Sequence, residues 1–259
     1  MTSKPVLTTD EPPAYRVERP EGASPLLLVC DHASRRLPQS LGTLGLGDAE
    51  LAAHIAWDIG AEAVAQRLSE RLDATLLLQN YSRLVIDCNR PPTAADSVPQ
   101  VSGGIAIPGN QGLDASDLSR RRTAIFDPYQ ARLRNLLNLR AAARQQTVLV
   151  AVHSFTPNYL GFERPWHTGL MYHRDTRLAQ ALLTLLRADP GLCVGDNEPY
   201  AMGDLTDYTL PVHGESRRIP HVGIEIRQDL VSDVAGQHAW AERLALLLPQ
   251  AVEALYARG

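Results

Sequence analysis

Apolar runs punctuate the chain, and several of them stop at polar residues. Leu26–Cys30 leads into Asp31 and His32, residues 84–86 into Asp87, Asn89 and Arg90, and residues 148–152 into His153 and Ser154. A fourth run, 221–228, carries Glu225 and Arg227 inside its own apolar pattern. A fifth, 74–80, is apolar almost throughout. Runs that are apolar on both faces suit central strands covered by helices on both sides. Residues 167–173 read as a further strand, and 192–197 as a short further piece.

Between these runs the spacing becomes helical. Leu51, Ile55 and Ile59 recur at helical intervals, which predicts one helix over 48–72 with Asp48 as its N-cap. A second helix is predicted over 114–143, kinked or split at Pro128. A third covers 175–188, and a last one Val234–Tyr256. Residues 198–220 read as irregular or partly helical. Residues 91–113, with Pro91-Pro92 and Gly103-Gly104, read as a loop long enough to serve as a lid. Residues 1–23 are rich in proline and polar side chains and are expected to form an irregular leader, with 24–259 as a single domain. Strands alternating with helices predict an α/β fold whose sheet is mostly parallel and covered on both faces. Active sites in such folds lie at the carboxyl ends of the strands, so the polar residues ending each run become the ones of interest.

Composition narrows the function. The net charge is −4 and the pI about 6.1, and 5% of residues are aromatic, which leaves neither a basic surface nor stacking platforms for nucleic acid. Cys30, Cys88 and Cys193 lack CxxC spacing, so neither a disulfide framework nor a structural zinc site is expected. The N-terminus has no apolar core of a signal peptide, and no apolar run reaches bilayer-spanning length. The expected setting is cytoplasmic, without a membrane partner.

His32 and His153 close two different strand-like runs with carboxylates nearby. One such histidine alone reads equally well as a hydrogen-bonded loop cap, whereas the pair suggests a zinc site of the three-ligand, open-position kind. His54 and Asp58 fall one helical turn apart and could bind a metal or form a solvated pair. Asp58 lies among small and apolar residues and needs a cationic partner. Glu225 shares a strand face with Arg227. It is either paired with an arginine or, if that face opens on a reactive water, a general base. His167, His173 and His213 fit substrate contacts or, better, structural roles; His221 and His238 fit structural ones. Ser154 lacks the GxSxG elbow of a serine nucleophile. Gly103-Gly104 is too little for a phosphate loop.

The blocks LLLVCDHAS, HIAWDIGA, SRLVIDCNRPP, VAVHSFTP and VGIEIRQDL follow one another in that order between Ser24 and Leu230. Together they resemble the N-formylglutamate amidohydrolase family. The resemblance implies a three-layer α/β/α sandwich with a mixed, mostly parallel central sheet of the phosphorylase/hydrolase-like kind, related to zinc carboxypeptidases and aspartoacylases. It implies hydrolysis of a small-molecule N-acyl amino acid, typically N-formyl-L-glutamate to formate and glutamate in histidine degradation. His32 and His153 match metal ligands, and Glu225 matches the general base of the wider group. Asn89-Arg90, with Arg83 upstream, matches the pair that holds the substrate's α-carboxylate, with Arg83 or Arg227 left for a second carboxylate or the oxyanion. The carboxypeptidase-like pattern has a glutamate three residues after the first histidine; Arg35 stands there and cannot ligate. The third zinc ligand is therefore sought elsewhere: Asp58 first, then Asp31 or His54. A zinc hydrolase of another N-acyl amino acid or small peptide, and a non-catalytic carboxylate-binding relative, remain as rival readings, and the oligomeric state is open.

Overall fold

Leucine- and valine-rich runs form strands here because they can be buried on both faces. The computed structural model describes residues 5–257. In chain order its strands are β1 (Tyr15–Glu18), β2 (Leu26–Cys30), β3 (Thr75–Gln79), a short hairpin of β4 (Val101–Ser102) and β5 (Ile105–Ala106), β6 (Val148–Phe155), a second hairpin of β7 (Asn158–Tyr159) and β8 (Phe162–Glu163), β9 (Thr168–Met171), β10 (Val194–Asp196) and β11 (His221–Arg227). The α-helices are α1 (Asp48–Ala52), α2 (Ala61–Leu72), α3 (Ala115–Arg121), α4 (Asp127–Ala142), α5 (Arg177–Leu186), α6 (Thr209–His213) and α7 (Val234–Tyr256).

Seven strands make one sheet in the order β1-β3-β2-β6-β11-β9-β10. The pairs β3–β2, β2–β6, β6–β11 and β9–β10 are parallel; β1–β3 and β11–β9 are antiparallel. The sheet is thus mixed and mostly parallel. Alternate residues of each strand face opposite helix layers. Leu26, Leu28 and Cys30 pack with α2, α5 and α7, whereas Leu27 and Val29 pack with α4 and its neighbours. Each fully buried leucine contributes on the order of 1.5–3 kcal/mol, so the sheet's centre is the rigid frame that carries the strand ends. Among the described residues no helix is long and apolar enough to cross a membrane.

Several sequence expectations need correction. The leader is not irregular throughout: β1 adds an edge strand antiparallel to β3, with Tyr15 and Val17 against the core and Arg16 turned toward Glu62 and Asn80. Residues 1–4 of that leader lie outside the described residues. The single helix over 48–72 is broken at 53–60. Gly60 adopts φ +80° with the Val231 carbonyl against it, 2.1 Å from where a Cβ would sit, so the chain must turn there. Gly47, not Asp48, caps α1, and its N–H donates to the Glu50 carboxylate. Residues 84–86 form buried turns and no strand. Their carbonyls are met by side chains instead of a ladder: Asn110 donates to Leu84 O at 2.9 Å and Arg121 to Val85 O at 3.1 Å. The helix expected over 114–143 is interrupted just ahead of Pro128: a π turn over Arg122–Phe126 links α3 to α4 with helical backbone throughout, and the N–H that Pro128 lacks is the one that would face Ala124 within that turn. The long loop 91–113 contains the β4–β5 hairpin and a 3-10 turn.

Candidate active site

The carboxyl ends of β2, β6 and β11 lie side by side at one edge of the sheet. His32 follows β2, His153 sits near the end of β6, and Glu225 of β11 is directly opposite His153 in the register. Asp58 comes from the bend between α1 and α2, pinned where its backbone N–H donates to His32 O at 3.0 Å. Asp87 comes from the turns that follow β3.

Asp58 is the hub. Its Oδ2 lies 3.2 Å from His32 Nδ1 and 2.8 Å from His153 Nδ1, and accepts the Ser154 N–H at 3.4 Å. One donor atom each from His32, Asp58 and His153 falls within 4.8 Å of the others, and all three residues are buried. The far nitrogen of each imidazole also meets a carboxylate. His32 Nε2 is 2.8 Å from Asp87 Oδ1, and His153 Nε2 is 3.6 Å from Asp31 Oδ2. Asp87 Oδ1 also accepts the Asn89 N–H at 2.8 Å, Arg83 donates to Asp87 Oδ2 at 2.7 Å, and Thr209 donates to Asp31 Oδ1 at 2.8 Å. Two imidazoles and a carboxylate converging on one point, each imidazole backed by a further carboxylate, is a donor set that fits a divalent metal. The buried Asp31 Oδ2 and Glu225 Oε2 have no hydrogen-bond partner among the described residues, which leaves carboxylate capacity for a cation or a polar ligand.

Electrostatics follow from this crowding. Burial alone would raise the Asp58 carboxyl, but the charge of His32 and hydrogen bonds from both imidazoles hold it well below the usual carboxylate range. Burial also opposes ionisation of Asp87, yet Arg83 and His32 keep it low. Burial pulls His153 down, but its bond to Asp58 and the charges of Asp58, Glu225 and Asp31 bring it up to about 9. Glu225 moves the other way: burial pushes its carboxyl up to about 7, against the opposing pull of His153. A carboxyl that gains and loses its proton near neutrality is suited to proton transfer.

A cavity of about 490 Å³ opens over this group. Its walls include Arg83, Arg90, β4 with Gly103, Tyr159, residues 199–201, and Thr206 with Asp207.

The model of the N-formylglutamate amidohydrolase family matches residues 24–232. The chain belongs to that family. As a member of the N-formylglutamate amidohydrolase family it is a hydrolase of amide bonds. It is similar to the solved structure of gene product Atu2144 from Agrobacterium tumefaciens, with 40% identity, 97% of this chain and 99% of that chain covered, and a TM-score of 0.94. An N-formylglutamate amidohydrolase from Ralstonia eutropha JMP134 is 21% identical over 95% of this chain and 98% of its own, with a TM-score of 0.66, and shares the fold. No curated protein matches it.

Within this family member, His32, Asp58, His153 and Glu225 converge. Arg83 reaches the same group, held by Asp87 and, at 3.5 Å, by Asp58. Arg90 lines the cavity but is engaged by Asp96 at 3.1 Å and by the Thr206 carbonyl. Asn89 does not present a free amide: it donates to Asp207 at 3.2 Å and accepts the N–H groups of Tyr208 and Thr209. Arg227 is a correction. It neither lines the cavity nor pairs with Glu225; it sits where β11 leaves the sheet, and its guanidinium closes on Asp229 two residues later, at 2.8 Å. Of the alternative ligands, Asp31 stands behind His153, and His54 is at the cavity wall, its Nε2 without a hydrogen-bond partner among the described residues. Burial, with Arg83 and Arg164 nearby, lowers the His54 pKa. His213 meets Gln130 at 2.8 Å, and burial takes its pKa down to about 3, which suits a neutral structural role. Sequence reasoning missed Thr209, Arg164 and Tyr200. All three lie in segments without periodicity, where no pattern singles them out.

Proposed function

We propose that this amidohydrolase cleaves the amide of an N-acyl amino acid with the help of a zinc ion held by His32, Asp58 and His153. N-formyl-L-glutamate is the substrate reading, giving formate and L-glutamate. The observation that carries this is the convergence of the His32–Asp58–His153 donor set with a buried, unpaired Glu225 oxygen on the adjoining strand. An ion bound there would polarise the amide carbonyl and acidify a water.

The remaining chemistry belongs to the chain. Glu225 accepts a proton from the water that adds to the carbonyl carbon. It returns that proton to the amide nitrogen as the C–N bond breaks, so one carboxyl serves as base and then acid. Asp87 and Asp31 orient the two imidazoles through their far nitrogens. Arg83, fixed by Asp87 and Asp58, keeps positive charge beside the reacting carbonyl. Arg90, on the cavity wall, receives the α-carboxylate, for which a planar guanidinium is suited. Asn89 supports it indirectly by holding the turn at 207–209 that bears on Arg90.

The test is formate release from N-formyl-L-glutamate by the purified protein, with N-acetyl and N-succinyl amino acids as comparison substrates, before and after chelation. Turnover that disappears on chelation and returns with zinc is expected. Undiminished turnover in the thoroughly chelated enzyme would remove the metal from the reading, and no turnover of any member of the panel would remove the reaction.

A further inference from the structure

The β7–β8 hairpin leads directly into Arg164, a residue that the reaction above does not use. Its side chain is deeply buried, at 7% exposure. Its guanidinium carbon lies 4.8 Å from the ring centres of both Tyr159 and Tyr200 and 5.8 Å from that of Phe155. Nη1 donates to the Tyr200 hydroxyl at 2.9 Å and reaches the Thr156 carbonyl at 3.5 Å. Among the described residues no carboxylate pairs with it. Aromatic faces offset part of the cost of burying this cation, but a buried charge without a counter-ion remains costly.

The location gives that cost a use. Phe155, Thr156, Tyr159 and Tyr200, the groups that enclose the guanidinium, all line the cavity. The two arginines that line the cavity are already matched by acids: Arg83 by Asp87 and Asp58, Arg90 by Asp96 and Asp207. Uncompensated positive charge is therefore concentrated at Arg164, directly behind the aromatic part of the cavity wall. Tyr200, 40% exposed, brings this charge to the cavity surface. Because its oxygen accepts from Arg164, its own O–H is free to donate to a third group, and the cation behind it strengthens that donation.

We propose that Tyr200 and Arg164 form a subsite for a second carboxylate, the one carried on the side chain of an acidic N-acyl amino acid. Tyr200 makes the contact; Arg164 is the positioning residue that fixes the hydroxyl and supplies the charge. This deepens the proposed function and rests on it for the reaction, though not for the binding. It places selection of an acidic substrate in two segments, 156–164 and 199–201, that supply none of His32, Asp58, His153 or Glu225.

The experiment compares N-formyl-L-glutamate with its neutral near-isostere N-formyl-L-glutamine in the wild type, Tyr200→Phe, Arg164→Met and Arg164→Lys. In parallel, binding of the free amino acids L-glutamate and L-glutamine is measured by calorimetry. The wild type should favour the acidic substrate. In Tyr200→Phe and Arg164→Met that preference should fall by about tenfold or more, through KM more than kcat, with Arg164→Lys recovering part of it. Calorimetry should show the same loss of preference for L-glutamate. Tyr200→Phe deletes one oxygen from a partly exposed side chain, so it separates binding from folding. Equal losses on both substrates would mean that the pair only braces the hairpin, and the subsite would be withdrawn. If nothing in the panel is hydrolysed, the reaction falls but calorimetry still decides the subsite: equal affinity of the wild type for L-glutamate and L-glutamine would overturn it.

Discussion

The floor of the cavity draws His32, Asp58, Asp87, His153 and Glu225 from five separate places in the chain, and all are buried. At its mouth, the β4–β5 hairpin turns on Gly103 and Gly104, and the β7–β8 hairpin on Leu160 and Gly161, all with positive φ. Leu160 and Phe162 at that second tip stand 73% and 61% exposed. The floor is held by the sheet and by carboxylate–imidazole contacts that fix every ring. The mouth is held by tight turns and a few aromatic contacts. Under the proposed function, bond-breaking falls to the floor, where displacement of any group disturbs several others, and substrate selection to the mouth, where residues can change without disturbing the frame.

The largest expected effect tests the floor's proton carrier. Glu225→Gln should lower kcat by about 10²–10⁴-fold while leaving metal content unchanged, because Glu225 lies outside the ligand group. Wild-type kcat in that variant would transfer the base to another residue. Next comes the support behind the ligands: Asp87→Asn should weaken metal affinity by about 10–100-fold, read by competition with a chromogenic chelator. An unchanged affinity would leave Asp87 as a partner of Arg83 alone.

A smaller effect concerns stability in the chelated protein. The Glu225 carboxyl is raised to about 7, so the folded chain binds this proton more tightly than the unfolded one does. The associated stability is complete below the unfolded value of about 4.3 and is lost as pH rises through about 7. Chelated Glu225→Gln, which carries no such charge, should therefore gain on the wild type between about pH 5 and pH 8, by on the order of 1–3 kcal/mol. Denaturant titrations at the two pH values measure it; a gain in the opposite direction would contradict the burial of an ionised Glu225. The smallest effect belongs to the mouth. Leu160→Ser should change stability by no more than about 0.5 kcal/mol, since that side chain is exposed. A loss of several kcal/mol in a thermal or denaturant melt would mean that the hairpin tip is integral to the frame.

The same contrast decides what the sequence disclosed. β2, β6, β11 and α7 are legible because each is a long, regular pattern with its own burial. The polar residues at strand ends then point to His32, His153 and Glu225. Asp58 is legible because a carboxylate between small and apolar neighbours needs a partner. The rest depends on distant neighbours. Residues 84–86 look like a strand, and become turns because Asn110 and Arg121 satisfy their carbonyls. The break before α2 depends on the Val231 carbonyl, far along the chain, pressing on Gly60. Strand β1 depends on the free edge of β3. Arg227 shares a face with Glu225 in principle, but Asp229 captures it as the strand ends. The Arg164–Tyr200 contact joins two irregular segments 36 residues apart, and no local pattern encodes it.

Under the proposed function, His32, Asp58 and His153 together hold one catalytic metal ion. Metal content measured by elemental analysis, on the same preparations used for hydrolysis, tests it most directly in the wild type, His153→Ala and Asp58→Ala. About one ion per wild-type chain is expected, with loss of both the ion and about 10³-fold or more of the activity in each variant and the folded far-UV signature kept. An active wild type that is essentially free of metal, or variants that keep both ion and turnover, would contradict it.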